Sequence, residues 1–176
     1  MDSAESKLSG DGVEKMSVPA HISEYLQSQK PGRAILAALK MFLERDEDLL
    51  RVDANERSMT HRIAMYLQCE LPEWNVDCEY NRAEFEPKRL GHLGLNPTAQ
   101  DTEAQTVFPD IIAHIRRDPK RNYLVMEFKK SSREQGRDLD IRKLQEFRRQ
   151  LAYQFALFVE LHTGCNPGIA AVKWIE

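Results

Sequence analysis

The sequence predicts an α/β fold with the element order αβββαβ. A mixed central sheet is flanked by helices, and a helical extension precedes it. Three observations point there. The runs NVDCEYNR, VFPDIIAHI and NYLVMEFKK have the alternation or the β-branched and aromatic content of strands. The hexapeptide Arg116-Arg117-Asp118-Pro119-Lys120-Arg121 between the second and third runs suits a tight turn, with Asp first and Pro second. Beyond the third run, apolar residues at spacings of three and four predict a long helix, and a final apolar run follows it. A strand, a helix and a strand in that order suit a crossover that sets the third and last strands parallel.

Taken in order, residues 1–18 are polar and contain Gly10, Gly12 and several serines, which predicts a disordered tail. Residues 19–52 form the helical extension. A short helix over 20–29 is stopped by Pro31-Gly32. A second, over 33–50, carries the stripe Ile35, Leu36, Leu39, Phe42, Leu43, Leu49 and Leu50. The core domain spans 53–176. Asp53 or Asn55 can cap a helix reaching about Cys69, with Met59, Ile63, Tyr66 and Leu67 facing inward. Glu56 lies on or beside that inward side. An acid there either serves the positive end of the helix dipole or belongs to a site. Leu71-Pro72-Glu73 breaks the chain before the first strand, 75–82. Residues 83–106, with Pro87, Gly91, Gly94 and Pro97, read as a long loop that includes Lys88 and Arg89. Strands 107–115 and 122–129 follow, then a polar linker over 131–138. A helix from Leu139 to about His162 carries Leu144, Phe147, Leu151, Phe155 and Phe158. Gly164 and Pro167 end it, and GIAAVKWI is a largely buried last strand.

Composition bounds the function. The chain has 176 residues, 41% hydrophobic and 30% charged, which suits one globular domain. No apolar run approaches the length needed to cross a bilayer, and the polar, acidic start resembles neither a secretory signal nor a transit peptide. A cytoplasmic protein without a membrane partner is expected. Three cysteines, Cys69, Cys78 and Cys165, show no paired zinc-ligand spacing and read as buried free thiols. The five histidines form no HxxxH or HExxH. Net charge is −3, yet it is unevenly spread. Residues 1–114 hold 12 Lys/Arg against 20 Asp/Glu, whereas 115–150 hold 12 against 6. That basic block is either a phosphate-binding footprint or a solvated helix face.

The basic block begins where a carboxylate cluster is assembled. Strand side chains alternate faces, so Glu127 and Lys129 point the same way. A turn over Asp118–Arg121 sets Asp110 opposite Lys129. A turn centred between Asp118 and Pro119 sets it opposite Glu127. Both registers keep Asp110, Glu127 and Lys129 on one face, because they differ by an even step. Two carboxylates and an amine at mid-strand are costly to bury, and a hard divalent cation would justify them.

With Pro109-Asp110 on the second strand, Glu127-Phe128-Lys129 on the third and the order αβββαβ, the stretch from about Asn55 to Ile175 resembles the PD-(D/E)XK nuclease superfamily, of restriction-endonuclease-like fold. The resemblance implies a metal-dependent nuclease that hydrolyses phosphodiester bonds, with DNA ahead of RNA as substrate. It implies Mg²⁺, for which Mn²⁺ can substitute, held by Asp110, Glu127, the carbonyl of Phe128 and Glu56. Lys129 would orient or activate the attacking water. Lys143 matches a polar or basic position on the helix after the motif strand. Tyr80, Asn81, Arg82, Arg142, Lys143, Arg148 and Arg149 are the candidate nucleic-acid contacts. His114 reads as a satisfied sheet histidine sooner than a ligand, and Lys130 points to the opposite face from Lys129. The partner is nucleic acid, with a homodimer or a larger defence or repair complex left open. The alternative is a catalytically silent nuclease-like module that binds nucleic acid or a protein partner.

Overall fold

The computed structural model describes residues 16–80, 82–83, 86–87, 89–90, 105–106, 108–133 and 135–176. Four helices come first: α1 (Ala20–Gln27), α2 (Gly32–Arg45), α3 (Glu47–Arg51) and α4 (Glu56–Glu70). Strand β1 (Asn75–Cys78) follows. Four two-residue strands, β2 (Arg82–Ala83), β3 (Glu86–Pro87), β4 (Arg89–Leu90) and β5 (Gln105–Thr106), lie in the stretch expected to be a loop; β2 pairs with β3 and β4 with β5. The chain then runs through β6 (Ile111–His114), β7 (Asn122–Lys130), α5 (Arg137–Leu151), β8 (Phe155–His162) and β9 (Gly168–Trp174).

The central sheet has the order β1-β6-β7-β8-β9. Only the β7–β8 pairing is parallel, so the sheet is mixed. Its two faces build two cores. On one, Ile22, Leu39, Phe42, Ile63 and Leu67 from the N-terminal helices meet Ile111, Leu124, Met126 and Val159. On the other, Leu144 and Phe147 of α5 meet Ile112, Val125 and Phe158. Strand β7 therefore buries both faces, with Leu124, Met126 and Phe128 going to the first core and Val125 to the second. No helix among the described residues is long and apolar enough to cross a membrane.

The helical extension belongs to the first core. The turn between α1 and α2 is so tight that a Cβ on Gly32 would stand 1.8 Å from the Leu26 carbonyl oxygen, so only glycine fits there. The expected 33–50 helix is two helices, broken at Asp46, whose carboxylate instead binds Arg62 at 3.0 Å and the Tyr66 hydroxyl. Residues 1–15 of the expected tail lie outside the described residues. Val18 is buried and Met16 packs against the core, so residues 16–18 belong with the packed helices and not with the expected tail.

Four further expectations need correction. The helix read over 139–162 is α5 followed by strand β8. Ala152, at φ +52°, ends the helix, and the Asn122 side chain holds its last turn through a 2.7 Å bond to the Leu151 carbonyl. Phe155-Ala156-Leu157-Phe158-Val159 is a near-continuous apolar run, as a central strand between two cores requires. The crossover therefore pairs β7 with β8 in parallel. The last strand is not the parallel partner of β7: β9 lies antiparallel to β8 at the sheet edge and is mostly half-buried. The first strand also ends early. Glu79 sits at φ +48°, which breaks the alternation after Cys78 and turns Tyr80 towards the second core. The thiols are free, but Cys69 and Cys165 are exposed and only Cys78 is half-buried.

The Asp118–Arg121 turn forms, closed by a 3.0 Å bond from Arg121 N–H to the Asp118 carbonyl. The register shifts between Ala113 and His114, and beyond that shift β6 pairs with β7 as Ile111 with Met126 and Ile112 with Val125. Continued one residue outward, this register sets Asp110 opposite Glu127.

Candidate functional site

The site forms where β6 stops and β7 continues. Strand β6 begins at Ile111, so among the described residues β7 beyond Met126 has no strand on that side. Two carboxylates occupy the free edge. Asp110 Oδ2 accepts from Phe128 N–H at 2.7 Å, and Glu56 Oε2 accepts from Lys130 N–H at 2.9 Å. In a strand, the N–H and C=O of one residue point to the same neighbour, so the Phe128 carbonyl faces this edge too.

Each carboxylate is placed by its own element. Asn55 caps α4 by accepting from Ser58 N–H at 2.8 Å, which sets Glu56 in the first turn. The Glu79 N–H donates to the Pro109 and Asp110 carbonyls at 3.1 and 3.3 Å, and this fixes the residues leading into β6. Glu127 projects from β7 towards α5, on the face that carries Val125 and Lys129.

Helix α5 closes the cluster with two residues, one expected and one not. Lys143 Nζ lies 3.3 and 3.4 Å from the two Glu127 oxygens and 3.2 Å from Asp140 Oδ1. Lys129 Nζ lies 2.9 Å from Asp140 Oδ2. Asp140 is buried and central, yet the sequence singles it out in no way. It reads as one of several acids in a polar helix start, and the only usable signal is its place one turn before Lys143.

Burial and crowding dominate the electrostatics. Burial pushes the Asp110 carboxyl up to about 6, although the Phe128 N–H and Lys143 oppose this. Glu127 is raised well above the usual carboxylate range, first by burial and then by the Asp110 charge. Burial alone would lower Lys143, but the Glu127 and Asp140 charges outweigh it and hold the ammonium charged. Glu56, Asp110, Glu127 and Asp140 thus share two ammonium groups, and the cluster can take additional positive charge.

The Asp110 shift makes a prediction about the metal-free protein. Its native carboxyl holds a proton that the unfolded chain, near 3.8, gives up. The contribution to stability is therefore present below pH 4 and lost as pH rises through 6. Asp110→Asn keeps an oxygen for Phe128 N–H and removes this slope. Chemical denaturation should find the variant more stable than wild type at pH 8 by roughly 2–4 kcal/mol, and the gain should vanish near pH 4.

The donor set suits a hard divalent cation: the Asp110 carboxylate and the Phe128 carbonyl at the edge of β7, with the Glu127 carboxylate on the adjoining face. Among the described residues, no group of three or more His, Cys, Asp and Glu side chains is placed to hold a metal ion. Any ion here would take Asp110 and Glu127 as its carboxylates and fill its remaining positions with the Phe128 carbonyl and water.

The other candidates are dispersed. His114 is buried, with Nε2 3.0 Å from Asp77 Oδ2 and its ring 4.9 Å from that of Tyr80, as expected of a satisfied sheet histidine. Burial would raise Asp77, but His114 and Arg116 outweigh it and hold it at about 2. Lys130 points away from Lys129 and bonds Asp53 Oδ1 at 2.7 Å. Asn81 and the Arg82 side chain lie outside the described residues, as do the side chains of Lys88 and Arg89. Arg142 is exposed on α5. Arg148 and Arg149 lie farther along α5, roughly 8–9 Å beyond Lys143 at 1.5 Å per residue. Arg148 donates to the Ile175 carbonyl at 2.8 Å, and Arg149 pairs with Glu146 at 2.6 Å. Neither is gathered into the cluster. Phe108, two residues before Asp110, is 53% exposed.

Comparison of the chain with family models, with curated proteins and with solved structures gives no match.

Proposed function

We propose that this protein is a metal-dependent phosphodiesterase acting on nucleic acid, DNA ahead of RNA, with Asp110, Glu127 and Lys129 at its centre. One observation carries the reading. Two carboxyls, Asp110 just before β6 and Glu127 on β7, are both raised first by burial, Asp110 further by the Glu56 and Asp140 charges and Glu127 further by the Asp110 charge, and they stand where β6 stops, beside two lysines. Such a pair is unfavourable without a cation, and functional sites are where that kind of arrangement concentrates.

A bound Mg²⁺ or Mn²⁺ would lower the pKa of a water and stabilise charge developing on the phosphate. Asp110 and Glu127 hold the ion, and Glu56, which electrostatically opposes ionisation of Asp110, reaches it directly or through water. Phe128 contributes its carbonyl. Lys129 orients the attacking water and balances negative charge. Asp140 positions Lys129 and Lys143 through its two oxygens. Lys143 is thereby a positioning residue before it is a phosphate contact.

The rival reading is a silent module that binds nucleic acid or a protein without cutting. Lys143 favours it, because its ammonium already neutralises Glu127 at 3.3 Å. Cleavage of labelled DNA and RNA, single- and double-stranded, with Mg²⁺, Mn²⁺ or chelator separates the two. Metal-dependent cleavage is expected. Binding to any of these substrates without cleavage in either metal establishes the rival.

A further inference from the structure

The linker between β7 and α5 opens on a cavity of about 820 Å³ lined by Lys129, Ser131, Ser132, Arg133 and Gln135. Its volume lies within the range of pockets that hold small ligands and cofactors. Among the described residues that line it, every side chain can donate a hydrogen bond, two are cationic and none is a carboxylate. That chemistry suits an oxyanion.

The lining is held in place. Ser131 N–H donates to the Leu161 carbonyl and Arg133 N–H to the Lys130 carbonyl, both at 2.9 Å. The Ser131 hydroxyl lies 2.6 Å from His162 Nδ1. Gly136, at φ +89°, closes the linker, and a Cβ there would stand 3.3 Å from Lys129 Nζ. Glycine thus leaves the ammonium approachable as well as permitting the turn. Asp53, whose carboxyl is lowered first by its hydrogen bond from Lys130 and only last by the Arg133 charge, is already bonded to Lys130. Lys129 joins the cavity to the carboxylates, since its ammonium meets Asp140, Asp140 meets Lys143, and Lys143 meets Glu127.

We propose that this cavity is a second phosphate subsite, in which Arg133 and Ser132 hold a backbone phosphate of the nucleic-acid strand beside the one presented to Asp110 and Glu127. The proposal rests on the phosphodiesterase reading. Lys129 lines the cavity and also pairs with Asp140 of the carboxylate cluster, so the two subsites adjoin. The guanidinium of Arg133 offers the planar fork that phosphate oxygens match, and it is exposed.

The test compares wild type, Arg133→Ala, Ser132→Ala and Arg133→Lys. It uses fluorescent single-stranded DNA and RNA oligonucleotides, with anisotropy in chelator and initial rates in Mn²⁺. Arg133→Ala should raise Kd and KM by roughly 10-fold or more, with kcat nearly unchanged. Its log–log salt slope should fall by about one, which Arg133→Lys restores. Thermal unfolding should not move, because the side chain is exposed. An active wild type with unchanged Kd and salt slope in Arg133→Ala overturns the subsite and spares the phosphodiesterase reading. A wild type that binds with an Arg133-dependent slope but never cleaves supports the subsite and overturns that reading. A wild type that neither binds nor cleaves overturns both.

Discussion

Glu127→Gln is expected to reduce metal-dependent cleavage by on the order of 10³-fold or more, the scale of losing several kcal/mol of metal-derived stabilisation of the transition state. Glu127 is buried, and burial together with the Asp110 charge raises it well above the usual carboxylate range. Glutamine matches the shape of the protonated acid, so the metal-free variant should be at least as stable as wild type at pH 8. The sign follows from linkage: a carboxyl raised on folding loses stability as pH climbs from its unfolded value to its native one, and the amide has nothing to ionise. Mn²⁺ titration calorimetry should show weakened binding in the variant. In wild type, apparent Mn²⁺ affinity should rise with pH through about 6, where Asp110 ionises. Equal Mn²⁺ affinity in the two proteins would remove Glu127 from the metal site.

Lys129→Ala should lower the cleavage rate by roughly 10²–10⁴-fold, the span typical of a positioned acid–base or charge-stabilising group. It should keep Mn²⁺ affinity within a small factor, because an ammonium is no metal ligand. The side chain is 17% exposed and its ammonium bonds Asp140. Its loss deprives that buried carboxylate of one cation but opens no apolar cavity. Lys143 remains 3.2 Å from Asp140, so the fold should survive with a modest loss of stability. Paired single-turnover rates and Mn²⁺ titrations check this. A variant that cleaves at the wild-type rate would leave Lys129 as a counter-ion to Asp140.

Much of the candidate site was readable in the sequence because strand geometry has a period of two. Asp110, Glu127 and Lys129 share a face in either register considered, so their association did not depend on choosing the turn correctly. The Asn55 cap and the Asp118-Pro119 turn are equally local, and both formed. Helix and strand are hardest to distinguish where an apolar run also fits a spacing of three and four. Leu151, Phe155 and Phe158 continue the stripe of Phe147, yet Ala152 turns into the left-handed region and the chain becomes β8.

What the sequence determined by itself was the set of local elements: the helical extension, the strand-turn-strand that carries the carboxylates, and a helix crossing over afterwards. Tertiary structure decided which strands that crossover joins, because only packing against two cores makes Phe155–Val159 a central strand and leaves Gly168–Trp174 at the edge. It also decided the role of Glu56, which takes the hydrogen bond that a longer β6 would have made to Lys130. Asp140 became a partner of two lysines in the same way, through the angle at which α5 crosses the sheet. Local periodicity encodes which way a side chain points from its own element. It does not encode which element lies opposite, and the pairing of buried charges is settled there.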